Sequence, residues 1–195
     1  MKRGIGSTLL IVFGIILMLS SFGLKFYSKK KESNLVNKLD KEFNNEYIRN
    51  KNKNSEKIVE KRKVDIGDGI AIMQIPSISL KTVIVEGIEK EQIRYYVGHF
   101  TDSVMPGEEG NFSIAGHSSH IYNELLNELY KVNVGDDINI RTLTKEFKYK
   151  IEKKFIVEPT EVRVLDQIKN EKVMTIVTCT EKGNKRLIVK AKIQK

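Results

Sequence analysis

The sequence predicts a mainly β domain, folded as a closed or nearly closed barrel, behind an N-terminal helix long enough to cross a membrane. Three stretches of different composition predict this arrangement. Residues 1–28 contain a long uncharged run, residues 29–63 are polar and basic, and residues 64–195 carry short apolar runs separated by turn residues. We therefore divide the chain at these boundaries into a membrane anchor, a linker and one folded domain.

The N-terminal segment carries no charge in residues 4–24, and residues 9–19 are almost entirely apolar. At a rise of 1.5 Å per residue, a helix of about 20 residues reaches about 30 Å, the thickness of the hydrocarbon core of a bilayer. A cleavable signal peptide has a shorter apolar stretch, followed by a cleavage site of small residues. The pattern therefore favours an uncleaved signal anchor over a cleaved signal.

The basic excess lies outside the folded domain. The chain has a formal net charge of +9, from 34 Lys and Arg against 25 Asp and Glu. Residues 29–63 hold 12 basic and 6 acidic groups, whereas residues 64–195 hold 19 of each. A neutral folded domain argues against nucleic-acid binding, which needs a basic stripe on the folded surface.

The linker, residues 29–63, is rich in Lys, Asn and Glu, and such a charge run favours a solvated spacer over a specific binding segment. A few apolar residues nevertheless recur with helical spacing: Leu35, Val36, Leu39, Phe43 and Tyr47. Part of the linker is therefore also compatible with a marginal amphipathic helix near the membrane.

Seven or eight short strands are predicted in the domain from apolar runs that end at turn residues. The clearest cover residues 70–75, 80–85, 111–115, 138–142, 147–157, 172–178 and 186–193. Helical spacing is confined to residues 89–95 and to a stripe formed by Ile121, Tyr122, Leu125, Leu126 and Leu129. Closure into a barrel is the usual way for so many strands to avoid exposed edges.

The chain has one cysteine, Cys179, which follows the apolar strand at residues 173–178. The next strand starts at Arg186, after a loop with a Gly-Asn turn signal. If the two strands form a hairpin, Cys179 and Arg186 face each other at its loop end. A guanidinium there favours the thiolate or stabilises the oxyanion formed when the thiolate attacks a carbonyl. On these residues alone, a small core cysteine stays an equal alternative.

Three histidines are candidates for the general acid that protonates a leaving amine. His117 follows the predicted strand at residues 111–115 through a glycine, so a rigid strand delivers it to a loop that faces the site. His120 is more simply a capping or partly exposed residue of the second helix, and His99 a hydrogen-bonded structural residue on an irregular stretch. Without carboxylates at ligand spacing, His117 and His120 give weak support for a metal site.

Several short motifs occur in an order and spacing typical of one enzyme family. From about Ile70 to the C-terminus, the chain resembles the sortases, the membrane-anchored cysteine transpeptidases of Gram-positive bacteria. The most specific combination is Val177-Thr178-Cys179 followed closely by Arg186, with Ala115-Gly116-His117 far upstream. The other matching pieces lie at residues 75–76, 79–87, 97–99, 105–111, 134–136 and 186–189.

The resemblance implies an eight-stranded sortase-type β-barrel in which Cys179 is the nucleophile, His117 the general acid and base, and Arg186 the stabiliser of the substrate or its oxyanion. It implies cleavage of an LPxTG-like sorting signal between Thr and Gly. The resulting thioacyl enzyme is then resolved by an amine of a cell-wall precursor or another protein. The chain looks most like class D, with class A the runner-up. It departs from the family pattern at Ile176, where many members have Leu, and at Ser118, where Arg often follows the histidine.

Two other functions stay open on the sequence. One is a cysteine endopeptidase or hydrolase with the same site, and the other is a non-catalytic, surface-anchored barrel that binds a partner. No cofactor is implied. The family allows a stimulatory calcium ion, to which Glu86, Asp136 or Asp137 could contribute, but the sequence identifies no ligand set.

The anchor and the resemblance together predict a single-pass protein of the cell membrane with its catalytic domain outside the cytoplasm. Charge alone slightly favours the opposite orientation, since Lys2 and Arg3 precede the span whereas Lys25 and residues 29–31 follow it. We expect the domain outside because sorting-signal proteins and the acceptor amine of the expected reaction are found there.

Overall fold

The computed structural model describes residues 3–52, 64–118, 125–180 and 183–194. In this part of the chain, a long helix, α1 (Arg3–Asn52), precedes a barrel of eight strands that includes one short helix, α2 (Lys90–Tyr95). The strands are β1 (Gly69–Ile75), β2 (Leu80–Glu86), β3 (Val97–His99), β4 (Gly110–Ala115), β5 (Asp137–Arg141), β6 (Glu146–Val157), β7 (Lys172–Cys179) and β8 (Arg186–Ile193). Short 3₁₀ helices lie at Pro76–Ile78, Asn127–Lys131 and Val162–Leu165.

The strands close into a barrel in the order β1-β2-β3-β4-β7-β8-β6-β5, which confirms the predicted fold class. Neighbouring strands are antiparallel, except for two parallel pairs, β2 with β3 and β4 with β7. Parallel neighbours run in the same direction, so their carboxyl ends meet at the same edge of the sheet. The β4–β7 pair therefore decides which loops lie side by side at one end of the barrel.

The seven clearest predicted strands all form, each within one residue of its expected bounds. The prediction missed β3, because three residues that include Gly98 are too few to show the alternation of a strand. The helix predicted at residues 89–95 is α2. Of the second predicted helix, residues 119–124 lie outside the described residues, while Leu125, Leu126 and Leu129 are buried against the barrel.

The core fills the inside of the barrel with apolar side chains from alternating strand positions, since successive side chains of a strand point to opposite faces. Its fully buried members include Phe112, Ile114, Ile138, Ile140, Tyr149, Ile151, Met174 and Ile176. Each such side chain contributes about 1.5 to 3 kcal/mol when it leaves water. The barrel therefore holds its strand ends, and the loops that follow them, on a rigid frame.

Tyr149 is a large core residue with a polar tip, and its hydroxyl accepts a hydrogen bond from the Gly107 N–H at 2.8 Å. Burial raises the pKa of Tyr149 to about 12. Gly107 has a φ of +82°, and a Cβ there would lie 2.0 Å from the Phe147 ring. Only glycine fits this close approach of the loop to the core.

The first part of α1 has the properties of a membrane span. The whole helix has 50 residues and is about 75 Å long at 1.5 Å per residue. Its N-terminal part is long and apolar enough to cross a membrane, and large apolar side chains such as Leu9, Phe13 and Leu17 are exposed on it. An exposed apolar surface of this length fits the predicted anchor.

The second part of α1 packs on the outside of the barrel. The buried side chains at this contact are Val36, Leu39 and Phe43 of the helix and Ile72, Val83 and Val85 of β1 and β2. The sequence favoured a solvated spacer here. The structure differs at Val36, Leu39 and Phe43, because helical spacing brings these residues to one face, where the two strands cover them. Residues 53–63 and the side chain of Tyr47 lie outside the described part.

Polar contacts at the same surface orient the helix on the barrel. The Asp40 carboxylate forms ion pairs with Lys81 and Arg141. The Thr82 hydroxyl donates to the Glu32 carboxylate at 2.7 Å. In the barrel order, β1 and β2 lie opposite β7 and β8, so α1 leaves the wall that carries Cys179 uncovered.

Candidate active site

Two parallel strands bring His117 and Cys179 to the same end of the barrel. β4 and β7 are hydrogen-bonded neighbours in which Ala115 lies opposite Val177. His117 and Cys179 each follow this pair by two positions, and the intervening Gly116 N–H donates to the Val177 carbonyl at 3.1 Å. The loop with the imidazole and the strand end with the thiol therefore lie side by side.

Two hydroxyl groups continue this contact beyond the end of β4. The buried Thr178 hydroxyl donates to the Gly116 carbonyl at 2.8 Å. The Ser118 hydroxyl donates to the carbonyl of Cys179 at 2.7 Å. The backbone on both sides of His117 is therefore attached to β7.

Arg186 lies opposite Cys179 across the β7–β8 hairpin, in the pairing that the hairpin interpretation predicted. Its guanidinium donates through Nη1 to the carbonyls of Gly183 and Lys185, both at 3.3 Å. The Thr180 N–H donates to the Lys185 carbonyl at 3.1 Å and closes the base of the loop. A permanent positive charge is thus held at the loop end next to the cysteine.

All three predicted site residues are partly exposed: Cys179, His117 and Arg186. Cys179 is a free thiol, and its exposure does not support the alternative of a small core cysteine. No hydrogen bond joins the ring of His117 to another described residue, so the imidazole is not committed to a structural partner in that part of the chain. Both groups are accessible to a ligand from the same end of the barrel.

A groove of about 550 Å³ opens beside Cys179. Its apolar lining comes from Leu126, Tyr130, Ile156 and Leu187, and its polar rim includes Asn127, Glu128 and Lys185. Tyr130 is 50% exposed and Ile156 is 58% exposed, so two large apolar side chains face solvent next to the thiol. Exposed apolar surface in a concave site is typical of a peptide or ligand contact.

The sequence did not place these residues in a common groove, because they come from separate elements that only the barrel brings together. The Lys154 ammonium donates to the carbonyls of Tyr130 and Val132, both at 2.7 Å, and so ties the 3₁₀ helix to β6. Lys185 pairs with Glu158 at 2.9 Å and joins the β7–β8 loop to the end of β6. These contacts therefore hold in place the elements that carry the exposed side chains of Tyr130 and Ile156.

The family of the chain follows from its match to a family model described as the Sortase domain, over residues 73–194. This chain belongs to the sortase family. The match runs from within β1 to the end of β8 and includes His117, Cys179 and Arg186. The motifs that predicted the resemblance therefore belong to a domain-length similarity.

Individual relatives agree with this assignment. Sortase D of Bacillus subtilis (strain 168) is 29% identical over 117 residues, which are 60% of this chain and 57% of that protein. The solved Sortase D5 transpeptidase of Clostridium perfringens is 40% identical, has a TM-score of 0.71, and is matched over 84% of this chain and 98% of its own. Sortase A from Corynebacterium diphtheriae, a lid mutant, is 26% identical with a TM-score of 0.64, over 70% of this chain and 74% of its own.

These similarities confirm the predicted family and its resemblance to class D. The chain spans a little over half the length of the Bacillus subtilis relative. What this sortase acts on, and with which residues, is therefore taken up as a proposal below.

His99 of this sortase has a different environment from His117. It is buried in β3, with Nδ1 2.9 Å from a Glu86 carboxylate oxygen. Its Nε2 lies 2.9 Å from the Ser103 hydroxyl and 3.2 Å from the Val104 carbonyl. The ring thus has the hydrogen bonds expected of a structural residue, although it lies on a short strand and not on an irregular stretch.

The acidic residues considered for calcium have other partners. Asp137 pairs with Lys148 at 2.8 Å and with Lys150 at 3.1 Å, and these hydrogen bonds lower the pKa of its carboxyl. Asp136 accepts the Asn133 N–H at 2.9 Å, which is the main cause of its lowered pKa. In the described ranges, no group of three or more His, Cys, Asp or Glu side chains is arranged to hold a metal ion. Calcium stays an expectation from the resemblance.

Proposed function

We propose that this sortase is a cysteine transpeptidase that cleaves a sorting signal through Cys179 and transfers the acyl group to an amine. The observation that supports the proposal is the geometry of β4, β7 and β8. A thiol, an imidazole and a guanidinium lie at one end of the barrel, and all three side chains are partly exposed. This combination supplies a nucleophile, a proton carrier and an anion stabiliser.

In the first half-reaction, the Cys179 thiolate adds to the carbonyl carbon of the scissile peptide bond. The carbonyl electrons move to oxygen, and the Arg186 guanidinium stabilises the oxyanion. The described residues occupy only Nη1 of this guanidinium, which leaves other N–H groups to donate. When the intermediate collapses, the C–N bond breaks and the His117 imidazolium gives its proton to the departing amine.

In the second half-reaction, an acceptor amine resolves the thioester. The amine nitrogen attacks the thioester carbonyl while neutral His117 takes a proton from it, and collapse of the intermediate displaces the Cys179 thiolate. The product is a new amide, and the enzyme returns to its starting state. A covalent intermediate of this kind gives ping-pong kinetics.

The proposed substrate is an LPxTG-like sorting signal, cleaved between Thr and Gly. The support is the family membership together with the groove, because its exposed apolar wall beside Cys179 suits the apolar part of an extended peptide. The proposed acceptor is an amine of a cell-wall precursor or of another protein. We propose that the reaction takes place on the outer face of the membrane, with α1 as the anchor.

The deciding experiment is intact-mass spectrometry of the full chain in detergent, incubated with a library of sorting-signal peptides. An acyl adduct on Cys179 is expected, and it should disappear on addition of oligoglycine or hydroxylamine as a new amide or hydroxamate is released. Cys179→Ala is the matched control and should form no adduct. Because Cys179 is partly exposed, this variant should keep the melting temperature of the wild type.

The same experiment separates the alternatives. Release of free acid with no new amide in the presence of amine would indicate a hydrolase with the same site. If Cys179→Ala retained every activity of the wild type, the barrel would be a binding module and the transpeptidase proposal would fail.

A further inference from the structure

The loop that carries His117 is joined to the strand that carries Cys179 by side chains and not by strand pairing. Main-chain pairing between the end of β4 and β7 stops at Gly116. Beyond it, the Thr178 hydroxyl donates to the Gly116 carbonyl at 2.8 Å, and the Ser118 hydroxyl donates to the Cys179 carbonyl at 2.7 Å. One bond runs from β7 to the loop and the other from the loop to β7, and the residue between them is His117.

The two hydroxyl groups have different surroundings. Thr178 is buried, so its bond is part of the packed barrel, whereas Ser118 is partly exposed and lines the groove. In addition, the His117 carbonyl accepts a hydrogen bond from the Leu126 N–H at 3.3 Å. A Cβ on Gly116 would come within 2.9 Å of the Leu126 side chain, so the loop packs closely against that leucine. Movement outward, away from β7, is opposed by the Ser118 bond.

Proton transfer makes this contact important. A general acid must come within about 2.6 to 3.2 Å of the atom to which it gives its proton. The Ser118 bond ends on the main chain of Cys179, so it fixes the segment next to His117 relative to the residue that would carry the acyl group. Its donor lies on the neighbour of His117 in sequence, so the bond acts on the imidazole through one peptide unit.

We propose that Ser118 is a positioning residue whose hydrogen bond to the Cys179 carbonyl holds the His117 loop at working distance from the thiol. The inference rests on the proposed function. Ser118 acts through His117 and need not touch the reacting atoms. Loss of its hydroxyl frees the loop to move away from β7, and a displacement of about 1 Å at a catalytic group can slow a reaction by about 100-fold.

The test compares two proteins that lack the Ser118 hydroxyl with two that keep it, all as the full chain in detergent. Ser118→Ala and Ser118→Val lack the hydroxyl, whereas wild type and Ser118→Thr keep it, and valine matches threonine in shape. Thr142→Ala is a control at the opposite end of the barrel, because its hydroxyl also donates to a main-chain carbonyl, that of Lys145 at 2.9 Å. Thermal melting of each variant first establishes that it is folded.

The first measurement is the rate of acyl adduct formation on Cys179 as a function of sorting-signal peptide concentration. We expect Ser118→Ala and Ser118→Val to lower the maximal rate by about 10- to 100-fold. The half-saturating peptide concentration should change by less than about threefold, because the apolar wall of the groove, to which Ser118 does not contribute, is retained. Ser118→Thr should recover most of the rate that Ser118→Val loses, and Thr142→Ala should stay within about threefold of wild type in both quantities.

The second measurement does not depend on activity. The chain has 3 histidines, so ¹³C-labelled histidine gives few ring signals in an NMR spectrum, and His117→Ala identifies the one from His117. We expect this signal to shift or broaden in Ser118→Ala and Ser118→Val and to be unchanged in Ser118→Thr. The ring signal of His99 should be the same in all of them, since it has its own buried partners.

The inference is overturned if the variants without a hydroxyl acylate within about twofold of wild type, or if threonine does not restore what valine loses. It is equally overturned if the His117 ring signal is the same in all variants. If wild type itself forms no adduct, the proposed function fails, and the ring signal alone then decides whether Ser118 holds the loop.

Discussion

The two ends of the barrel use histidine in different ways. At the end where β7 stops, His117 is partly exposed and its ring bonds to no other described residue. At the far end, where β7 begins, a cavity of about 1010 Å³ is lined by Glu86, His99 and Ser103 among others. His99 is only 1% exposed, and both of its ring nitrogens have partners. Of the two rings, the one without a partner among the described residues is the one proposed for proton transfer.

At the far end, Glu86, His99 and Ser103 place a carboxylate, an imidazole and a hydroxyl in a row. Their hydrogen bonds nevertheless indicate a structural role. His99 Nε2 lies 3.2 Å from the Val104 carbonyl, which can only accept, as well as 2.9 Å from Ser103. The Ser103 oxygen in turn accepts the Ser113 N–H at 3.1 Å. These bonds attach the loop after β3 to the barrel. Among the described residues, no buried side-chain N or O atom lacks a partner, so the group is complete without a ligand.

The largest effect that tests this contrast is on catalysis. Replacing His117 by alanine removes the proposed proton carrier, so acylation of Cys179 should slow by about 10²- to 10⁴-fold. The melting temperature should stay close to that of wild type, because the side chain is partly exposed and its ring has no described partner. Rapid mixing followed by mass spectrometry measures the rate. If Cys179 were acylated at the wild-type rate in His117→Ala, His117 would have no part in the mechanism.

At the far end, the effect should be on stability instead. Glu86→Ala leaves the buried His99 without its carboxylate, and breaking a buried pair in this way costs about 3 to 5 kcal/mol of unfolding free energy. Glu86→Gln keeps an acceptor for the ring and should recover part of this loss. Urea denaturation of the three proteins measures the differences.

The control for Glu86 is the acylation rate per folded molecule, which should match wild type in both variants. A cost below about 1 kcal/mol for Glu86→Ala would contradict the structural role of the pair. A large loss of acylation in a stable Glu86→Gln protein would show that the two ends are coupled.

The sequence predicted the strands and the residues at their ends better than the hydrogen bonds between distant segments. Alternation of apolar residues located the strands, and Cys179 and Arg186 could be paired because a hairpin is a local structure. The bond from Ser118 to Cys179 could not be predicted in the same way. It joins residues 61 positions apart, and it depends on the parallel register of β4 with β7, for which a single sequence carries no signal.

The linker shows the same limit. Its helical spacing was visible, but its charge favoured a solvated spacer, since nothing in the segment itself indicates a partner surface. The surface that buries Leu39 and Phe43 comes from β1 and β2, whose outward faces are apolar at Ile72, Val83 and Val85. Burial decided by a distant strand overrides the local composition.

A pH experiment tests whether the Tyr149 hydroxyl, which accepts from Gly107 at the far end, is shielded from solvent. Burial raises the pKa of Tyr149 to about 12, above the value of about 10 for an exposed tyrosine. The folded chain therefore holds this proton more tightly than the unfolded chain does. Its contribution is complete below pH 10 and is lost as the pH rises towards 12, by about 2 to 3 kcal/mol.

The measurement is the free energy of unfolding in urea between pH 8 and pH 12, compared between wild type and Tyr149→Phe. Wild type should lose stability more steeply above pH 10, because the variant has no phenol to ionise, even though it loses the bond from Gly107 at all pH values. Parallel curves would mean that the Tyr149 hydroxyl is open to solvent.

The smallest expected effect concerns α1, which lies on the wall opposite the one that carries Cys179. Asp40 is partly exposed, so Asp40→Asn should weaken the contact of the helix by at most about 1 kcal/mol, and less at high salt. Hydrogen exchange of residues 32–44 should rise modestly in this variant and more strongly in Leu39→Ala, which removes a buried side chain. Acylation of Cys179 should not change in either, because β1 and β2 are separated from β7 and β8 by two strands on each side of the barrel. A tenfold slower acylation in Asp40→Asn would instead mean that the anchor helix controls the catalytic end through the barrel wall.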